Sequence, residues 1–162
     1  DLHSFPTRRS SDLRTLIAYA SMYGNTEGAA QALAAKLCER GVTNVAVYDV
    51  STTDVSQLIA ETFRLSHLVL ASVTYNLGIY PKMLNFLEDM KALNVQNRTV
   101  GLIENGSWAV RSGDLIEAFL NDEMKNITVL EDRVSLASAL DNTQAIDLDR
   151  LADAISDDMQ KD

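Results

Sequence analysis

The sequence reads LIAYA at residues 16–20, SMYGNT at 21–26 and EGAAQAL at 27–33. A short apolar run stops at hydroxyl, amide and glycine residues. Apolar residues then recur at Ala30, Leu33 and Leu37, which is the spacing of an amphipathic helix. The stretch therefore predicts a strand, a tight polar turn and the first turns of a helix.

The turn at residues 21–26 lies where a helix presents unpaired N–H groups and a partial positive charge, so it can bind an anion. Ser21, Asn25 and Thr26 add side-chain donors, Gly24 permits a close backbone approach, and the turn contains no lysine or arginine. The same pattern is typical of an ordinary turn in which Asn25 or Thr26 caps the helix. Taken alone, it predicts either a phosphate site without a countercharge or a plain helix cap.

The composition indicates one globular domain, because 162 residues with 46% hydrophobic content can bury a sizeable core. The net charge of −9 argues against nucleic acid and anionic membranes as partners, and fits either docking on a basic partner or simple solubility. The single cysteine, Cys38, excludes an internal disulfide and is compatible with the cytoplasm. With only His3 and His67, no histidine cluster for a metal is expected.

Residues 1–13, DLHSFPTRRSSDL, show no periodicity and contain no apolar signal-peptide region. They resemble translated sequencing-adapter sequence at the broken end of a reading frame. We expect a non-native or disordered leader at 1–13, followed by one domain at 14–162.

After the leader, predicted strands alternate with predicted helices. The strands are expected at about 15–20, 45–50, 67–72, 99–103 and 128–136, with a helix after each. Three local signals mark helix ends: Gly41 after the first helix, a capping box of Asp54 and Gln57 before the second, and Pro81 at the first position of the third. Five such units predict an α/β fold with a five-stranded parallel sheet and helices on both faces.

In such sheets, ligands bind beyond the carboxyl ends of the strands, where the strand order reverses. Polar, glycine-containing loops follow predicted strands one, three and four. We expect these loops to surround one pocket.

The sequence lacks the motifs of three binding sites that occur in related folds. The turn lacks the G-x-G-x-x-G of dinucleotide-binding proteins and the G-x-x-x-x-G-K-[ST] of a phosphate loop with lysine. A phospho-acceptor receiver would place acidic residues where Ser21 and Ser72 stand. The remaining interpretation is a phosphate site that is flanked by loops with aromatic residues.

The three loops together resemble the flavin loops of flavodoxin-like domains, which have strand order 2-1-3-4-5. SMYGNT at 21–26 is similar to the phosphate loop, ASVTYNLGIYP at 71–81 to the second loop and LIENGSW at 102–108 to the third. The similarity covers about residues 15–160 and is greatest to the flavodoxin domain of flavodiiron proteins, also called A-type flavoproteins. Val73 and Ala109 depart from the proline and glycine usual at those positions.

The resemblance implies FMN as the cofactor, and it implies no catalytic or metal-binding residue. The first loop would hold the phosphate, the second would border the flavin ring and ribityl chain, and the third would close the pyrimidine side. Tyr75 and Trp108 could stack on the ring. The implied cofactor-binding residues are Ser21, Met22, Tyr23, Gly24, Asn25, Thr26, Thr74, Tyr75, Asn76, Leu77, Gly78, Asn105, Gly106, Ser107 and Trp108. Glu104 is expected to hydrogen-bond a neighbouring loop rather than the flavin.

The implied function is that of an FMN-binding electron-transfer domain, the C-terminal flavodoxin module of a flavodiiron oxygen or nitric oxide reductase without its diiron domain. That domain lies upstream in the family and does not fit in the 14 residues before the first predicted strand. Implied partners are a redox protein such as rubredoxin or a flavin reductase, and a second copy of the chain in a homodimer.

Two alternatives remain open: a stand-alone flavodoxin or flavin-dependent quinone reductase, and a flavodoxin-like interaction module without a redox role. An upstream reading frame that encodes H-x-E-x-D-type metal ligands would favour the flavodiiron protein.

Overall fold

The computed structural model describes residues 14–21, 24–76, 78–106, 112–136 and 142–161, so the predicted leader at 1–13 lies outside the described residues. The described residues form seven strands and five helices. In chain order these are β1 (Arg14–Ala20), α1 (Asn25–Glu39), β2 (Asn44–Asp49), α2 (Val55–Arg64), β3 (His67–Tyr75), β4 (Gly78–Ile79), α3 (Pro81–Ala92), β5 (Gln96–Asn105), α4 (Ser112–Glu123), β6 (Lys125–Val129), β7 (Val134–Leu136) and α5 (Asn142–Gln160).

The five main strands lie in the order β2-β1-β3-β5-β6, and every neighbouring pair among them is parallel. Counting main strands only, this is the predicted order 2-1-3-4-5, and the predicted fold class is confirmed. Two short strands add to it, because β4 pairs antiparallel with β3 and β7 pairs parallel with β5.

The prediction of one continuous strand at 128–136 was wrong in detail. The chain pairs with β5 along β6, turns at the exposed residues Glu131 and Asp132, and pairs with β5 again along β7. The amide of Arg133 donates to the carbonyl of Glu131 at 2.9 Å, which closes the turn. The interruption lets one long central strand, β5, support two short segments in succession.

Two strands are longer than predicted. β3 continues to Tyr75 because Thr74 and Tyr75 pair with Ile79 and Gly78 in a hairpin. β5 extends to Asn105 because its last residues pair with β7. Glu104 and Asn105 therefore lie in a strand, whereas the sequence predicted them in a loop.

Hydrophobic side chains form a layer on each face of the sheet. Along β3, Leu68 and Leu70 pack in the layer under α2, α3 and α4, whereas Val69 and Ala71 pack in the layer under α1 and α5. Successive side chains of a strand point to opposite faces, so a strand covered on both sides is apolar throughout. This explains the continuous apolar run that identified β3 in the sequence.

The predicted helix ends are largely as expected. Gly41 has φ +84°, and the amides of Gly41 and Val42 donate to the carbonyls of Cys38 and Leu37, which is the Schellman arrangement. Cys38 itself is exposed. Pro81 begins α3 as predicted.

The N-terminus of α2 differs from the prediction in one respect. The Asp54 side chain caps α2 by accepting from the amide of Ser56 at 2.9 Å, and this bond lowers the pKa of the Asp54 carboxyl. The Gln57 side chain, however, donates to the Tyr48 hydroxyl at 3.2 Å. The cap is therefore present, but the predicted capping box is replaced by a contact with β2.

Ion pairs join the first and last helices. Lys36 pairs with Asp149 at 2.9 Å, and Arg40 pairs with Asp153 at 2.7 Å. No helix among the described residues is long and apolar enough to cross a membrane.

Candidate functional site

Three strands end side by side at the carboxyl edge of the sheet. Ala20 of β1 lies level with Ser72 of β3, and Ser72 lies level with Glu104 of β5. The polar segments that follow these strands therefore begin at one edge, as the sequence analysis expected. Ten of the predicted binding residues are described there; Met22, Tyr23, Leu77, Ser107 and Trp108 lie outside the described residues.

The turn after β1 is held by Gly24. This residue has φ +88°, a conformation that favours glycine, and it occupies the N-cap position of α1 without a side-chain capping bond. Its amide donates to Ser21 Oγ at 2.8 Å, and its carbonyl accepts the first helical bond, from Gly28 at 2.9 Å. The alternative prediction of Asn25 or Thr26 as the helix cap was wrong, because both residues already belong to the helix.

The α1 N-terminus offers backbone donors at this edge. The amides of Asn25, Thr26 and Glu27 precede the first helical bond, from Gly28 to Gly24. They point out of the helix end, together with the positive end of its dipole.

The Thr26 side chain points inward instead of capping the helix. It is 1% exposed, and its Oγ1 accepts a hydrogen bond of 3.2 Å from Nδ2 of Asn105, which is 5% exposed. Asn105 follows Ile103 on the face of β5 that packs under α1, because alternate residues of a strand share a face. This contact joins the first predicted loop to the third.

The two hydroxyls of the turn are used in the same way. Ser21 Oγ accepts from the Gly24 amide, and Thr26 Oγ1 accepts from Asn105. A hydroxyl carries one proton and two lone pairs, so both side chains keep their proton to donate to another acceptor. Together with the helix amides, the turn is a set of donors that fits a phosphate without a lysine or arginine, and it therefore fits the phosphate of FMN.

The hairpin of β3 and β4 forms the second predicted loop. Asn76 lies at its tip with φ +51°, and Tyr75, which is 40% exposed, contacts Tyr80 edge to face with ring centroids 5.9 Å apart. Thr74 Oγ1 accepts from the amide of Ser112 at 3.1 Å, so the start of α4 supports the hairpin. The arrangement presents a partly exposed aromatic ring at the carboxyl end of β3.

Glu104 has the structural role that the sequence analysis expected. Its carboxylate is 6% exposed and accepts from the Gly113 amide at 2.9 Å and from Ser135 Oγ at 2.5 Å. The Arg133 guanidinium lies 3.8 Å away. Glu104 therefore caps α4 and ties β7 to β5.

The backbone of Gly106 has a structural contact at the end of β5. Gly106 is buried, and its amide donates to the carbonyl of Leu136 at 3.1 Å. This amide closes the end of the β5–β7 pair, and the expected place of Gly106 on the pyrimidine side of the flavin stays a prediction.

Sequence reasoning missed the residues that support the site from α4 and β7, namely Ser112, Gly113, Arg133 and Ser135. Ser112 Oγ donates to the carbonyl of Ser72 at 3.0 Å, and this bond fixes α4 against the end of β3. A serine followed by glycine and aspartate before an apolar period is a helix-start signal that could have identified Ser112. The other three contacts join distant parts of the chain and leave no local pattern.

Two carboxylates, those of Glu27 and Asp49, act on the Tyr19 hydroxyl near the end of β1. Burial, followed by the charges of Glu27 and Asp49, raises the pKa of Tyr19 above its ordinary value, and a hydrogen bond to Glu27 adds to the increase. Glu27, the hydrogen-bond partner of Tyr19, lies in the first turn of α1. The first turn of α1 therefore carries one negative charge, at the helix end that also offers the free amides.

Comparisons with known proteins agree with this architecture. The family model for flavodoxin matches residues 17–128. The anaerobic nitric oxide reductase flavorubredoxin of Aeromonas hydrophila is 28% identical over 118 residues, which is 72% of this chain and 24% of that protein. The matched region thus spans about a quarter of the length of that relative.

Two solved structures illustrate the shared fold. The rubredoxin oxygen:oxidoreductase from Desulfovibrio gigas superposes with a TM-score of 0.83 at 22% identity, over 92% of this chain and 36% of that one. A flavodoxin from the domain Archaea superposes with a TM-score of 0.76 at 18% identity, over 91% of this chain and 99% of that one. Because the flavodoxin family model matches more than half of its residues, this chain belongs to the flavodoxin family, whose cofactor is FMN.

Proposed function

We propose that this chain binds FMN at the carboxyl edge of β1, β3 and β5 and acts as an electron-transfer domain. The turn after β1 carries the proposal. It combines three helix-end amides with two hydroxyls whose oxygens already accept protein hydrogen bonds. Such a set can donate to a phosphate but has little to offer a cation.

In this proposal, Ser21, Gly24, Asn25 and Thr26 hold the phosphate, and the hairpin residues Thr74, Tyr75, Asn76 and Gly78 border the ring. Bound FMN supplies electron transfer, while the protein supplies binding, orientation and the local field. None of these residues is assigned as an acid or a base. The roles of Met22, Tyr23, Leu77, Ser107 and Trp108 stay predictions from the sequence.

We also propose that the domain belongs to a flavodiiron enzyme. The support is that flavorubredoxins are among its relatives. A diiron domain would then lie upstream in the full protein, and rubredoxin or a flavin reductase would donate electrons. A reading frame that continues upstream into metal-ligand motifs supports this context, whereas one that starts at the domain favours a stand-alone flavodoxin.

FMN retention tests the central proposal. The purified protein is incubated with FMN and desalted, and its visible absorption is recorded before and after anaerobic photoreduction. We expect close to one flavin per chain and a reversible loss of the visible bands. A protein that is folded by circular dichroism but remains colourless would contradict the proposal and favour an interaction module.

Glu27→Gln is expected to tighten FMN binding. Removing one negative charge from the first turn of α1 relieves repulsion of about 1 kcal/mol in water, which corresponds to roughly 2- to 5-fold in Kd at low salt. High salt should abolish the gain. Fluorescence titration with FMN measures both effects.

Glu39→Gln is the matched control for that variant. Glu39 is exposed at the last residue of α1, about 18 Å along the helix from Glu27. Glu39→Gln removes the same charge, but its distance from the first turn of α1 exceeds the Debye screening length at ordinary salt. Equal effects of the two variants on the Kd for FMN would show that the charge of Glu27 does not influence phosphate binding.

A further inference from the structure

A buried hydrogen bond joins two residues that are 79 positions apart in the chain. Nδ2 of Asn105 donates to Oγ1 of Thr26 at 3.2 Å, and both side chains are more than nine-tenths buried. A buried amide–hydroxyl contact fixes the side-chain rotamers of both partners, since any other orientation would leave a polar group unpaired. The contact therefore sets the direction of the Thr26 hydroxyl.

We infer that Asn105 is a positioning residue that makes this site select FMN over riboflavin. By occupying an acceptor position of Thr26 Oγ1, it leaves the Thr26 proton to be donated to the flavin phosphate. The inference rests on the proposed function. It replaces the expectation that Asn105 contacts the pyrimidine side of the flavin.

The register of the sheet makes this arrangement possible. Asn105 lies level with Val73 of β3, one residue beyond the level of Ala20, so its side chain stands at the point where β1 turns into α1. Thr26 is the second residue of α1, where the helix amides also point outward. The amide of Asn105 thus approaches Thr26 from the protein interior and occupies an acceptor position of Oγ1, which leaves the hydroxyl proton for another acceptor.

The direction of the bond is essential to the selectivity. An amide nitrogen can only donate, so the hydroxyl beside it must accept and must direct its proton elsewhere. A donor chain of this kind also polarises the hydroxyl and strengthens its bond to an anion. Riboflavin lacks the phosphate and gains nothing from the arrangement.

Asn105→Asp reverses this direction with almost no change in size. A carboxylate can only accept, so it takes the Thr26 proton and adds a negative charge near the phosphate. We expect the Kd for FMN to rise about 100-fold, while the Kd for riboflavin changes by less than about 3-fold. Thr26→Val should weaken FMN binding roughly 10- to 30-fold, again with little effect on riboflavin.

Three further measurements make the test specific. The double variant should lose much less than the product of the two single losses, because both changes remove one shared interaction. Asn121→Asp is the charge control, because it makes the same substitution at an exposed position away from the site. Asn121 lies in α4, nine residues after Ser112, which is at the end of the helix that contacts the site. Riboflavin binding and circular dichroism report whether each variant is folded.

The possible outcomes separate the two ideas. Native protein that binds neither flavin overturns the proposed function and this inference together. If the native protein binds FMN tightly but Asn105→Asp weakens FMN and riboflavin equally, Asn105 contacts the flavin ring or only supports the fold, and the inference alone is wrong. If Asn105→Asp weakens FMN binding and leaves riboflavin binding unchanged, the result supports the inference.

Discussion

Glu104→Ala is expected to lower the free energy of unfolding by about 3 kcal/mol, because it removes a buried carboxylate that several groups depend on. The Gly113 amide and the Ser135 hydroxyl both lose their acceptor, and Arg133 loses one of its neighbouring charges. An alanine cannot replace any of these interactions, and it leaves a gap between α4 and β7. Urea denaturation at neutral pH, followed by circular dichroism, measures the loss.

Glu117→Ala is the control for Glu104→Ala. Glu117 also binds the Arg133 guanidinium, but its side chain is 40% exposed. Exposed ion pairs contribute little, so we expect a loss of less than about 1 kcal/mol. Glu104→Gln should lie between the two, because one amide oxygen can still accept from Gly113. Similar losses for Glu104→Ala and Glu117→Ala would mean that the burial of Glu104 does not matter.

Gly24→Ala is expected to weaken FMN binding about 5- to 30-fold, corresponding to the roughly 1–2 kcal/mol that a left-handed conformation costs an L-residue. Gly24 has φ +88°, and an added Cβ would meet no atom within 4 Å, so the effect is conformational rather than steric. Without ligand, the turn can relax to a negative φ. Binding the phosphate then requires the strained conformation, and the strain appears as lost affinity.

Gly41→Ala provides a close match for Gly24→Ala. Gly41 has φ +84° and is equally open around its Cβ position, but it follows the opposite end of α1. Its strain is the same with and without FMN, so this variant should lose about 1 kcal/mol of stability and no affinity. Fluorescence titration and urea denaturation of both variants make the comparison. Equal affinity in the two variants would show that the conformation of Gly24 is not needed for binding.

The sequence predicted the fold well because its signals are local. The apolar run of β3, the spacing of Leu33 and Leu37, and Pro81 at a helix start each occupy only a few consecutive residues. Regular alternation of such segments leaves few arrangements other than a parallel sheet covered on both faces. Element ends were less well predicted, because β3 and β5 are extended by pairing with β4 and β7, which are only two and three residues long.

The site was predicted less completely, since its key contacts join distant residues. Thr26 has the side chain of a typical helix cap, and only the presence of Asn105 beside it shows that its hydroxyl is used differently. Likewise, nothing near Gly106 in the sequence indicates that its amide donates a hydrogen bond to the carbonyl of Leu136. The expected role of Glu104 was correct, because a carboxylate at the end of a buried strand needs hydrogen-bond donors from a neighbouring segment.

The pairing of α1 with α5 has a consequence for synthesis on the ribosome. Leu33 and Leu37 of α1 share a hydrophobic layer with Leu151 and Ile155 of α5, more than a hundred residues later in the chain. A nascent chain that has completed α4 therefore already contains β1, β3 and β5, which carry the proposed flavin site. On the face of the sheet that α1 and α5 share, however, only α1 is in place, and the apolar residues that pack against α5 are still uncovered. The emerging protein must remain protected from aggregation until α5 is made, and ribosome-bound chains that stop before residue 142 should bind chaperones more strongly than chains that include α5.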